Sequence, residues 1–159
     1  MGNTLRELGR YDGAEASYRQ AITLKPDYAE AHNNLGNTLK ELGKLDEAEA
    51  SYKRAIAMKP DYAEAHSNLG VTLKELGKLD EAEASYKQAI AMKADYAEAY
   101  LNLCGLLEET NAIDVLLILL EEARSNTKSM EADFCYYETL AFFRKERFEE
   151  ADALVTRIT

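Results

Sequence analysis

One stretch of this chain limits its fold more than any other feature. Residues 29–62 read AEAHNNLGNTLKELGKLDEAEASYKRAIAMKPDY, and residues 63–96 return the same text with 30 of 34 positions identical. The exchanges are Asn33 against Ser67, Asn37 against Val71, Arg54 against Gln88 and Pro60 against Ala94. A fixed period of 34 residues makes each copy one supersecondary unit, which cannot bury its apolar face alone and gains stability by stacking on its neighbours.

The rest of the chain falls into phase with these copies. Residues 1–28 supply the back of a first unit, with Leu5, Gly9, Ala14, Tyr18 and Pro26 in register with Leu39, Gly43, Ala48, Tyr52 and Pro60. Gly2 is in register with Gly36, mid-helix, so the chain is expected to be a piece of a longer array. Residues 97–131 begin as a faithful fourth copy (AEAYLNL) and diverge after Leu107; residues 132–159 form a divergent fifth unit and C-terminal cap, all within one array.

Inside a unit, His32, Leu35, Gly36 and Leu39 have helical spacing, as do Leu45, Ala48, Tyr52, Ala55 and Ile56. Two helices of about thirteen residues, roughly 20 Å each, are therefore predicted per unit. Gly43 and Gly77 suit a left-handed helix end, and Asn111 takes their place in the fourth unit. Asp46 with Glu49, and Asp61 with Glu64, have the spacing of capping boxes. Pro26 and Pro60 stop the second helix. Ala94 replaces that proline, so the helix before Asp95 is expected to run on by up to a turn.

His32-x-x-Leu35-Gly36-x-x-Leu39, then Ala48-x-x-x-Tyr52, then Pro60 resembles the signature of the tetratricopeptide repeat family over nearly the whole chain. The resemblance implies an all-α solenoid of antiparallel helix pairs wound as a right-handed superhelix. Gly36 and Ala48 would let the helices approach closely. Cys104 at the Gly position, Leu116 at the Ala position, Glu146 at the turn Gly, and His32 and His66 at an aromatic position depart from the pattern.

Composition then narrows the partners. A formal charge of −10 opposes broad attraction to nucleic-acid phosphates or anionic membrane, leaving neutral or basic protein surfaces. Cys104 and Cys135 lack metal-ligand spacing and are expected to be small buried residues in a reducing, cytoplasmic setting. No transmembrane run is present. Nucleophile–base pairs, phosphate-binding Gly loops and paired catalytic acids do not stand out, so neither an active site nor a cofactor is expected. His32 and His66 are in register, but two imidazoles do not make a metal site. Tyr18, Tyr52, Tyr86, Tyr28, Tyr62 and Tyr96 are expected in the core or between repeats.

At about 100° per residue, the apolar stripe of the first helix leaves Glu30, Asn34, Asn37 and Glu41 on its other side. The resemblance implies that this side lines a concave groove. Candidate groove residues are Asn33, Asn34, Asn37, Lys40 and Glu41, then Asn68, Lys74 and Glu75, then Asn102. Asn34, Asn68 and Asn102 recur at one position, and an amide both donates and accepts, as an extended peptide backbone requires. Helices about 8–10 Å apart would meet a chain advancing about 3.4 Å per residue at every third residue. This resembles the asparagine ladder in the repeat domain of O-GlcNAc transferase, which holds extended polypeptides. A clamp of cations for a terminal carboxylate is not matched, since Glu64 stands where it would need a cation.

Val115, Leu116, Leu117, Ile118, Leu119 and Leu120 are apolar on every side of a helix. Such a helix is buried all round or forms an interface. Cover by Phe134, Tyr136, Phe142, Phe143 and Phe148 is one outcome; self-association through Val115, Leu117, Ile118 and Leu119, or through the array ends, is another. The expected function is a non-catalytic module binding an extended polypeptide. The alternatives are a substrate-recruiting arm of a larger transferase and a self-associating scaffold.

Overall fold

The computed structural model describes residues 2–127 and 136–141, which are helical wherever they form regular structure. The chain divides into two compact units, Met1–Met92 and Lys93–Thr159. The first holds α1 (Gly2–Glu7), α2 (Tyr11–Leu24), α3 (Ala29–Glu41), α4 (Leu45–Met58), α5 (Ala63–Glu75) and α6 (Leu79–Met92). The second holds α7 (Ala97–Glu109), α8 (Ile113–Asn126) and a helical stretch at 136–141.

Apolar spacing places a stripe of each helix inside. Leu35, Leu39, Ala48, Tyr52 and Ala55 are buried, and so are their partners one period later, Leu69, Leu73, Ala82, Tyr86 and Ala89. Each fully buried Leu contributes roughly 1.5–3 kcal/mol. In the first unit α4 packs on both α3 and α5, and α2 on both α1 and α3, so every second helix joins its own pair to the next. Three-residue turns between packed helices make the pairs antiparallel.

Close approach explains the mid-helix glycines. A methyl group at Gly36 would lie 2.6 Å from Cε1 of Tyr52, and one at Gly70 the same 2.6 Å from Tyr86. The fourth repeat changes both partners together: Cys104 replaces the glycine, Leu120 replaces the tyrosine, and both are fully buried. A smaller side chain on one helix accommodates a larger one on the other. Gly43 (φ +71°), Gly77 (φ +75°) and Asn111 (φ +56°) adopt the left-handed conformation predicted for them.

Two expectations about the helix ends are corrected. The capping boxes are absent: α4 and α5 start at Lys44 and Tyr62 without a side-chain cap, and the Glu49 carboxylate binds Lys53 and Lys78. Asp46, Glu47 and Glu64 lie in the first turns, where the positive helix end favours them without a hydrogen bond. The helix before Ala94 does not run on; α6 ends at Met92, one period after Met58. Its turn is held by the Tyr96 N–H donating to the Lys93 carbonyl at 3.0 Å, matching Tyr62 N–H to Lys59 at 3.1 Å, a bond that needs no proline. Tyr28, Tyr62 and Tyr96 stand at helix starts, where Tyr62 and Tyr96 are half-buried. Tyr28 is 41% exposed, and the Lys25, Lys59 and Lys93 ammonium groups lie 4.7–5.2 Å from the three ring centroids.

In the second unit Leu116, Leu119 and Leu120 are buried, Leu117 is half-buried, and Val115 and Ile118 are exposed. Leu119 is thus corrected from candidate interface to core. Phe134, Cys135, Phe142, Phe143, Glu146 and Phe148 lie outside the described residues. Arg124 of α8 binds Glu138 at 2.7 Å and ties residues 136–141 to α8.

Candidate functional site

The first helices of successive pairs present their polar sides together in the first unit. Asn37, Lys40 and Asn68 are half-buried, and Glu41 and Glu75 are exposed. A cleft of about 380 Å³ is lined by Arg6, Tyr11, Asn37, Lys40, Glu41 and Asn68. Four of the predicted residues, from α3 and α5, therefore meet in one place. Arg6 and Tyr11 were missed. Projecting the period backwards would have found Arg6, which is in register with Lys40 and Lys74, but not Tyr11, whose counterparts Leu45 and Leu79 carry no groove signal. Lys74 and Glu75 do not line this cleft, and Asn102 is a half-buried residue of α7 in the second unit.

The asparagines have different roles. Asn37 Oδ1 accepts from the Tyr52 hydroxyl at 2.7 Å, and Asn3 accepts from Tyr18 in the same way. Burial pushes the Tyr52 hydroxyl well above its usual range, so it remains a donor. Asn33 is fully buried and is corrected from groove residue to structural link: its Oδ1 accepts from Asn68 Nδ2 at 3.1 Å, joining α3 to α5. Asn68 keeps its Oδ1 and a second N–H for the cleft. Asn34 lines a separate cleft of about 480 Å³ beside α2, and no hydrogen bond is made by its side chain among the described residues.

The charges are loosely held. Lys40 lies 3.9 Å from Glu41, a surface pairing worth little in water. On the outer side the contacts are tighter: Glu49 binds Lys53 at 2.6 Å and Lys78 at 2.8 Å, and Glu15 binds Arg19 at 2.9 Å and Lys44 at 2.8 Å. The bond from Lys53, then that from Lys78, holds the Glu49 carboxyl below its ordinary range.

His32 Nε2 is 2.9 Å from the Pro26 carbonyl oxygen and His66 Nε2 is 3.0 Å from that of Pro60, so each ring donates to the backbone as the Nε2-protonated tautomer. Among the described residues no three His, Cys, Asp or Glu side chains converge on a point. Cys104 is fully buried, and desolvation pushes its thiol up to about 12, which suits packing rather than reactivity.

A family model described as TPR repeat matches residues 2–43 and again 36–77, and a second described as tetratricopeptide repeat matches residues 63–96. These spans cover more than half of the chain. The chain belongs to the tetratricopeptide repeat family. Solved tetratricopeptide structures share its fold. The crystal structure of MamA superposes with a TM-score of 0.86 at 24% identity, over 97% of this chain and 90% of that one. YrrB, described as a TPR protein with an unusual peptide-binding site, gives 0.77 at 20% identity over 98% and 79% of the two chains. The first TPR of Spaghetti (RPAP3), bound to HSP90 peptide SRMEEVD, gives 0.67 at 25% identity over 69% of this chain and 87% of that one. No curated protein sequence matches the chain. Among the described residues no helix is long and apolar enough to cross a membrane.

Proposed function

We propose that this tetratricopeptide array is a protein-interaction module that takes an extended polypeptide along the polar side of its first helices. The observation that carries this reading is the cleft where Asn37, Lys40 and Glu41 of one repeat meet Asn68 of the next. Asn68 offers both a donor and an acceptor there, the two functions of a peptide backbone. Within the first unit Asn34 and Asn68 would then act as a ladder that binds backbone without reading side chains, as the likeness to the O-GlcNAc transferase repeats suggests. Two of the similar structures are described with a peptide or a peptide-binding site, in line with this class of ligand.

Charge selects among peptides. SRMEEVD is acidic, whereas this chain has a formal charge of −10, which Arg6 and Lys40 offset only locally beside Glu41 in the cleft. A neutral or basic extended segment is the better match. A reducing, cytoplasmic setting suits the buried thiol of Cys104.

Binding to an array of extended peptides is expected to fall about fivefold or more when Asn34 and Asn68 are both changed to Ala. Asn33→Ala is the control, because it removes the same α3–α5 bond from the buried side. Unchanged binding in the double variant, or an equal loss in Asn33→Ala, would overturn the ladder.

A further inference from the structure

The cleft of about 380 Å³ holds more hydrogen-bond donors than its own acceptors can use. Arg6 comes from α1, Tyr11 from the start of α2, Asn37, Lys40 and Glu41 from α3, and Asn68 from α5. The Asn37 oxygen is taken by the Tyr52 hydroxyl, so what its amide has left for the cleft is its N–H groups. Arg6 is half-buried, and among the described residues its guanidinium has neither an ion pair nor a hydrogen bond. Lys40, with a side chain 28% exposed, has the long 3.9 Å contact to Glu41 as its one ion pair among those residues. Against these donors stand the Glu41 carboxylate and the Asn68 oxygen.

The charge of this lining is opposite to that of the chain. Arg6 and Lys40 against Glu41 leave one positive charge in excess, in a chain of formal charge −10. Half-burial leaves that charge less screened than on an open surface. Burial raises the Tyr52 hydroxyl, and the charge of Arg6 acts against it, so the guanidinium stands near the bond between Tyr52 and Asn37. One period on, the equivalents of Tyr11 and Asn37 are Leu45 and Val71, which have no group to offer an anion. This lining is therefore particular to one place on the polar side of the first unit.

We propose that the cleft is a subsite for one carboxylate, the side chain of an Asp or Glu within the bound extended segment. The proposal rests on the extended-peptide reading and adds a point of register to it. Asn34 and Asn68 hold backbone, whereas Arg6 and Lys40 read a single acid in a segment that is otherwise neutral or basic. A guanidinium offers parallel N–H groups to a planar carboxylate, and the Lys40 ammonium and Asn37 amide supply bonds to its remaining lone pairs. A single carboxylate balances the excess charge of the lining. A phosphate, at about −2, overshoots it and is repelled by Glu41.

The probes are dye-labelled peptides of alternating Ser and Thr, capped at both ends, with a central Glu, Gln or phosphoserine, read by fluorescence anisotropy against the full chain. The Glu peptide should bind about tenfold more tightly than the Gln peptide, in keeping with one charge-assisted contact. Arg6→Gln with Lys40→Gln should abolish that preference with the circular dichroism melt unchanged. Lys25→Gln with Lys59→Gln removes the same charge from beside Tyr28 and Tyr62, outside the cleft, and should keep the preference. Equal binding of the Glu and Gln peptides overturns the proposal. So does a preference that outlasts the Arg6→Gln and Lys40→Gln changes, or one that the Lys25→Gln and Lys59→Gln changes remove equally. Tighter binding of the phosphoserine peptide, or of an uncapped Gln peptide through its terminal carboxylate, also overturns it and assigns the cations to that group. The two readings fail separately. A Gln peptide that binds, and is lost in Asn34→Ala with Asn68→Ala, upholds the groove even where the preference for Glu is absent, whereas no binding by any peptide sinks both.

Discussion

Single residues show how little of the polar surface is idle. Glu49 carries two lysines, one from its own helix and one 29 positions on, with a side chain only 12% exposed. Its folded carboxyl lies below the ordinary value of 4.5. A depressed folded pKa means that its contribution is complete above the unfolded value and is lost as pH falls through the folded one. Glu49→Gln should therefore lower stability by about 1 kcal/mol at neutral pH, measured by urea unfolding. The gap to the parent should close as the pH drops below about 4, the region where carboxylates protonate; a gap independent of pH would contradict this account. The i to i+4 half of this contact was readable in the sequence, because helix geometry alone brings Glu49 to Lys53. The Lys78 half was not, since it depends on how two pairs stack.

At the scale of elements, the turns carry the repeat geometry more than the prolines do. The turn after α6 copies the turn after α4 although Ala94 replaces Pro60. The Ala94 N–H is not among the donors of this turn, so a proline there forfeits no bond. Ala94→Pro is expected to raise stability by about 0.4–1 kcal/mol through a less flexible unfolded chain, with a higher melting temperature as the readout. A lower one would mean that the Ala94 backbone differs from that of Pro60. The capping boxes fail for a related reason. An acid three residues before a Glu is a necessary pattern, but the cap position is set by where the preceding turn releases the chain, and here that is Lys44 and Tyr62.

For the molecule as a whole, the apolar run 115–120 divides into core and surface. Leu116, Leu119 and Leu120 are buried, while Val115 is 44% and Ile118 68% exposed. If the chain self-associates through this helix, light scattering should show a mass that grows with concentration and falls to the monomer in Ile118→Glu. Identical scattering from both proteins would remove Val115 and Ile118 as an interface.

Residue pattern alone sets the helical period, the 34-residue unit, the left-handed turns at Gly43, Gly77 and Asn111, and the side of each first helix that stays polar. These are local or periodic properties, readable because every helix repeats the same spacing of apolar residues. Tertiary structure decided which polar side chains are available. Asn33, Asn34 and Asn37 are the same residue type on one helix, yet Asn33 is buried against Asn68, Asn37 holds Tyr52, and Asn34 lines an open cleft. An amide has the same donors and acceptors everywhere. Only the neighbours brought by stacking settle whether it joins the protein to itself or to a ligand.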